Sequence, residues 1–179
     1  MEQRKVSLFI ASSVDGFIAG PDDNLEFLAL VEKEGEDYGY ADFMANVDTV
    51  VLGRKTYDKV MQMDMPFPYG TRECYVITHK PKPDAGSVRF HTGDPEELIK
   101  TLRAKPGKTI FVDGGASVIE QLMKQDLIDD YIVSFIPVVI GGGTKLFGDT
   151  GLARKLQLVQ TKSFDTGLVQ LRYTRPSTT

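Results

Sequence analysis

The chain has 179 residues, 41% of them hydrophobic and 26% charged, which is the size and composition of one globular domain and not of a disordered or fibrous chain. A net charge of -4 gives none of the basic surface that general nucleic-acid binding requires, and no run approaches the roughly 18 apolar residues that span a bilayer. The single cysteine, Cys74, excludes an internal disulfide framework, and the only histidines, His79 and His91, lack metal-site spacing, so a cytoplasmic protein without a bound metal is expected.

Val6 to Ala11 reads as a buried first strand after a start, Met-Glu-Gln-Arg-Lys, that has no signal-peptide pattern. Ser12 to Asp23 is rich in Gly, Pro and Asp and predicts a loop. Apolar residues recur at helical spacing in Leu25 to Val31 and Tyr38 to Ala45, on either side of the acidic stretch Glu32 to Asp37. Asp48 to Leu52 predicts a second strand, Thr56 to Met61 a helix, and Glu73 to Thr78 a third strand that stops before Lys80-Pro-Lys-Pro83. A short strand follows near Val88 to His91.

Asp94-Pro-Glu-Glu97 has an N-cap aspartate with proline at the first helical position and predicts a helix to about Ala104. Thr109 to Val112 is a β-branched strand running into Gly114-Gly115, and Ser117 to Lys124 is again helical. Tyr131 to Ile140, Leu156 to Phe164 and Leu168 to Thr174 then read as strands without helices between them. Helices alternating with strands and then a meander predict a mainly parallel α/β sheet with antiparallel strands at one edge, in one domain over residues 1–179. Gly141-Gly-Gly143 lies between strands, where a bulge or a ligand loop fits better than a flexible joint.

Two strand-to-helix corners carry the chemistry. In Thr49-Val-Val-Leu-Gly-Arg-Lys-Thr-Tyr57 a buried strand passes through Gly53 into a helix start bearing Arg54, Lys55 and Thr56. The first N–H groups of a helix lack partners and carry partial positive charge, so this corner suits a phosphate; a plain joint with solvated basic residues is the alternative. Ile110-Phe-Val-Asp-Gly-Gly-Ala-Ser-Val-Ile119 repeats the arrangement, with tight strand-helix packing as its alternative reading. Two such corners at the carboxyl ends of strands are what a dinucleotide needs, although neither has the G-x-G-x-x-G or P-loop spacing. Val76-Ile-Thr-His-Lys-Pro81 ends a strand with hydroxyl, imidazole and ammonium groups suited to a further phosphate, or to a polar loop.

Taken together, these segments resemble the dihydrofolate reductase superfold, a three-layer α/β/α arrangement. Within it they are most similar to the reductase (C-terminal) domain of the bifunctional riboflavin-biosynthesis deaminase/reductase. Ala11-Ser-Ser-Val-Asp-Gly-Phe-Ile-Ala-Gly20 is similar to that family's first strand and the mobile loop over nicotinamide, and Gly53-Arg-Lys-Thr-Tyr57 resembles its Gly-Arg-Lys-Thr-Trp motif. Val76-Ile-Thr-His79 and Val112-Asp-Gly-Gly-Ala-Ser117 follow in family order, so the resemblance spans almost the whole chain.

The resemblance implies NADPH as cofactor. Ala11, Ile18 and Gly20 would lie on the nicotinamide side, Gly53, Arg54, Lys55 and Thr56 on the phosphates, and Thr78 and His79 on the 2'-phosphoribose. Gly114, Gly115, Ala116, Ser117 and Val118 would line the pyrophosphate, with a cis peptide between Gly114 and Gly115. It also implies a small-molecule substrate and a homodimer, which apolar strands such as Tyr131 to Ile140 also suggest without fixing an interface.

Hydride delivered to a C=N or C=O carbon leaves charge that a proton must quench, so an acid is required. The chain has no tryptophan, and its first helix lacks the carboxylate pattern of authentic folate reductases. Asp15 and Glu26 flank the loop and are the preferred catalytic candidates, ahead of Asp37 and Asp42; Thr144 is a candidate substrate contact from an opposite wall, or part of a simple turn. The expected activity is reduction of a small nitrogen heterocycle or a ribosylaminopyrimidine-type compound, 5-amino-6-(5-phosphoribosylamino)uracil reductase-like. A dihydrofolate reductase with an atypical acid and a non-catalytic dinucleotide-binding module are the alternatives.

Overall fold

In β1 (Val6–Ser13), Val6 and Leu8 enter one hydrophobic cluster while Phe9 packs into another. Successive strand side chains point to opposite faces, so a strand buried on both sides must lie inside a sheet with helices above and below. The computed structural model, which describes residues 3–176, has this arrangement. The eight-stranded sheet runs in the order β5 (Val88–His91), β4 (Glu73–Ile77), β3 (Val47–Gly53), β6 (Thr109–Gly114), β1, β7 (Asp130–Ile136), β10 (Val169–Thr174), β9 (Gln157–Ser163). The first six are mutually parallel, and β10 and β9 close one edge antiparallel.

Helices α3 (Pro95–Ala104) and α4 (Ala116–Lys124) cover one face, burying Leu98, Ile99, Leu102, Val118, Ile119 and Leu122. Helices α1 (Tyr40–Ala45) and α2 (Arg54–Gln62) cover the other with Met44 and Tyr57, against Val50, Leu52, Val76 and Phe111. Each fully buried side chain of this size contributes roughly 1.5–3 kcal/mol, which makes the two faces the main source of stability. Cys74 is buried in the second cluster, where desolvation pushes its thiol up to about 12. Asp94 caps α3 as its sequence predicts, accepting from the Glu96 amide at 2.9 Å, with Pro95 opening the helix.

Several elements depart from the sequence pattern. The 12–23 loop contains β2 (Phe17–Ala19) and a 3-10 turn (Pro21–Asp23), and Leu25 to Val31 folds as a 3-10 helix (Glu26–Val31). That segment is too short to gain much from α-helical propagation, and its shape is set by docking Phe27 and Val31 on Ile136 and Leu168. β7 ends at Ile136 because Pro137 follows, and it lies between β1 and β10, so it cannot serve as a dimer surface. The edge strand on this side of the sheet is β9, all seven residues of which are exposed.

The Gly141 to Gly143 run leads into β8 (Thr144–Lys145), which pairs antiparallel with β2. Gly143 has φ 125°, and a Cβ placed there would stand 2.1 Å from the Ala19 carbonyl oxygen. Only glycine permits this backbone approach. Gly142 has open space around its Cα. Gly143→Ala should therefore destabilise the protein by more than about 1 kcal/mol in urea unfolding, while Gly142→Ala should leave it nearly unchanged.

Candidate functional site

The pairing of β3 with β6 places Leu52 opposite Gly114, so the chain leaves two neighbouring strands at the same level and enters α2 and α4 side by side. The two helix starts touch. A Cβ at Gly53 would stand 3.4 Å from the Gly115 amide nitrogen and 3.4 Å from Val118 Cγ2, and one at Gly115 would stand 3.3 Å from Thr56 Oγ1. Neither helix has a side-chain cap or an acidic residue in its first turn. Their free N–H groups and dipoles converge on one corner, which fits the phosphates of a dinucleotide. The Gly114–Gly115 peptide is cis.

Of the residues assigned to this corner, Gly53, Arg54, Thr56, Gly115 and Ala116 are half-buried, Gly114 and Val118 are buried, and Lys55 and Ser117 are exposed. The Arg54 guanidinium is held by Asp58 at 2.8 Å and lies 5.9 Å from the centre of the Phe90 ring. Lys82 approaches the same ring at 5.1 Å and the Tyr57 ring at 5.8 Å. This basic and aromatic platform is absent from the sequence expectations, because Tyr57, Lys82 and Phe90 lie on different elements. Thr78 is buried at the end of β4, its hydroxyl turned back on the Lys80 backbone at 3.2 Å, and His79 beside it is exposed.

A cavity of about 630 Å³ opens between β1, β7 and the 3-10 helix Glu26–Val31, on the strands that follow β3 and β6 across the sheet. Its walls include Phe9, Ala11, Leu28, Val31, Ile136 and Leu168, and its lip carries residues from Glu32 to Asp37. Ala11 is the assigned nicotinamide-side residue that also lines this cavity. Ile18 packs against the first cluster, and Gly20 donates to the Asn24 carbonyl at 2.7 Å. Thr144 is half-buried in β8 beside Ala19, so it belongs to the loop side of the site and not to an opposite wall or a simple turn.

The two preferred acids occupy different surroundings from those expected. Asp15 accepts from Ser13 Oγ at 2.6 Å and from the Gly141 and Ile140 amides at 2.8 and 3.2 Å. The Ser13 hydroxyl, followed by those amides, holds its carboxyl below the usual range. Asp15 is thus an ionised clamp between two loops, with no proton to give at neutral pH. Glu26 is exposed and does not line the cavity; its 3-10 helix turns Leu28 and Val31 inward instead. Asp37 is likewise pinned, by the Ala41 and Gly39 amides at 2.9 Å, which hold it low.

Asp113 is the carboxylate that sequence reasoning passed over. It precedes the glycine pair on β6, where alternation turns it to the same face as Phe111, and the register of Leu8 with Val112 carries it alongside Phe9. The residue keeps some exposed surface while its carboxyl is desolvated, which pushes it up to about 6 against the opposing effect of a hydrogen bond from the Tyr69 hydroxyl. Oδ1 has no partner among the described residues. Tyr40, which lines the cavity, is raised to about 12 by burial and then by the charge of Asp113. The sequence signal was an acid at the end of an otherwise apolar strand, on the step before two glycines.

Residues 4–170 match the family described as the RibD C-terminal domain. The chain is 41% identical over 174 residues to the uncharacterized protein YwjB of Bacillus subtilis, covering 97% of this chain and 99% of that one. It is 31% identical over 185 residues to YyaP of the same organism, also uncharacterized, covering 97% and 96%. Among solved structures, a putative riboflavin biosynthesis protein from Shewanella superposes with a TM-score of 0.89 at 29% identity, over 97% of this chain and 99% of that one. The deaminase/5-amino-6-(5-phosphoribosylamino)uracil reductase of Thermotoga maritima superposes at 0.74 and 15% identity, over 97% of this chain and 57% of that one, which shows a shared fold. Among the described residues no helix is long and apolar enough to cross a membrane. From a match that runs through β1, both glycine corners and into β10, the chain belongs to the RibD C-terminal domain family.

Proposed function

We propose that the protein is an NADPH-dependent reductase of a small nitrogen heterocycle of the pyrimidine or pterin type. The observation that carries this reading is the contact between two uncapped helix N-termini on the same sheet as a cavity that shares Ala11 with the nicotinamide side. NADPH, when bound, supplies a hydride. Gly53, Thr56 and Gly114 to Val118 would hold its pyrophosphate, Arg54, Lys55, Thr78 and His79 its 2'-phosphate, and Ile18, Gly20 and the β2–β8 pair would cover its nicotinamide. Apolar walls align the substrate and exclude water, which lowers the barrier through proximity and a low local dielectric.

The proton is assigned to Asp113 in place of Asp15 or Glu26. It stands on the cavity-side face of the sheet, next to the cofactor corner, with a raised affinity for its proton. Since the protonated form is the donor, kcat/KM should be highest below about pH 6 and fall as pH rises through that value. Asp113→Asn should lower kcat on the order of 100-fold and abolish that pH limb without weakening NADPH binding, both followed by NADPH absorbance and fluorescence. A retained pH limb would remove Asp113 from the role.

Arg54→Ala should weaken NADPH on the order of 10- to 100-fold through loss of a charge-assisted contact, and NADH far less. Equal losses in a parallel titration would place Arg54 away from the 2'-phosphate. A homodimer is proposed through the free edge of β9, where unpaired backbone groups accompany the exposed Leu158 and Val159. Sedimentation should find a dimer, and Leu158→Lys should shift it to monomer; an unchanged mass would exclude this edge.

A further inference from the structure

The cavity between β1, β7 and the 3-10 helix has an interior and a lip of opposite character. Phe9, Leu28, Val31, Ile136 and Leu168 make the walls apolar, and one buried polar group stands among them. Ser134 is 4% exposed; its Oγ accepts from Gln170 Nε2 at 3.0 Å, and its own proton has no acceptor among the described residues. A buried hydroxyl in that state is left to donate to whatever enters. The lip carries Glu32, Glu34, Glu36 and Asp37 against one cation, Lys33, whose ammonium is already taken by Asp165 at 2.5 Å. Among the described residues no arginine lines the cavity.

A phosphate entering here would meet carboxylates without a guanidinium or a free ammonium to receive it. Like charges brought together at the mouth of the cavity select against an anion, and because these groups face solvent the effect is largest at low salt. The corner at Gly53 and Gly115 is the opposite case, with helix N-termini and basic side chains directed at anions. The two halves of the site therefore discriminate by charge.

We infer that the substrate is a flat nitrogen heterocycle without a phosphate, neutral or cationic, that places an acceptor on its ring edge against Ser134 Oγ. This rests on the proposed reductase reading for the place of the cavity and sharpens it. It separates this chain's substrate from the phosphoribosyl compound named for the Thermotoga reductase. The four lip carboxylates set the preference electrostatically, and Glu32 and Glu34 do so without a side-chain hydrogen bond of their own among the described residues.

Riboflavin and FMN, which share a planar ring and differ by one phosphate, test the inference by fluorescence titration of the full chain. At low ionic strength riboflavin should bind at least about tenfold more tightly than FMN, and added salt should narrow the gap. The double variant Glu32→Gln/Glu34→Gln should narrow it further by strengthening FMN binding while leaving riboflavin affinity within about twofold, because neutralising the lip removes repulsion and no contact. Equal or tighter FMN binding, a gap unmoved by the double variant, or failure of both flavins to bind would overturn the inference. NADPH titration of the same samples isolates the cofactor reading: its failure beside an intact flavin preference would sink the reductase and leave the charge selection standing.

Discussion

The adjacency of β3 and β6 is the constraint on which the site depends. Their pairing sets Leu52 opposite Gly114, and each strand is followed at once by a helix that needs its N-terminal groups satisfied. Had these strands been separated by another, two weak anion sites would lie apart; side by side, they make one extended positive corner. Gly53 and Gly115 stand where the two helix starts meet, since a Cβ on either would come within 3.3–3.4 Å of atoms of the opposite helix start.

The face alternation of the sheet distributes the remaining chemistry. Residues of β1, β6 and β7 that point away from α3 and α4, among them Phe9, Ala11, Asp113 and Ser134, share one face of the sheet, three of them lining the cavity and Asp113 standing alongside Phe9. Burial on that face raises a carboxyl's affinity for its proton, whereas the loop outside offers amides and hydroxyls that lower it. Asp113 and Asp15 are the same side chain in these two environments, raised in one and lowered in the other. Asp15 and Gly143 then tie the covering loop to the segment before β8, the first through hydrogen bonds from the Ile140 and Gly141 amides and the second through close backbone contact.

Much of this was readable along the chain wherever one short segment carried the whole physical cause. The Asp94-Pro95 helix start, both strand-glycine-helix corners and the mainly parallel sheet with an antiparallel edge depend on local capping, glycine placement and periodicity, and each stands where those signals put it. The signals failed where packing outweighed local preference. Glu26 to Val31 has the apolar spacing of an α-helix yet winds as a 3-10 segment to seat Phe27 and Val31, and the strand begun at Asp130 stops before Pro137.

The sequence by itself determined the parallel α/β class, the two glycine-bearing strand-to-helix corners and the family to which they point, because glycine freedom, helix capping and the pleat's twofold alternation act over a few residues. Only the tertiary structure decided which carboxyl has its proton affinity raised by burial, that Lys33 is already paired across the chain with Asp165, and that the acidic stretch lies at the cavity's lip. Those properties arise from desolvation and from contacts between residues up to 132 positions apart, which no local pattern encodes.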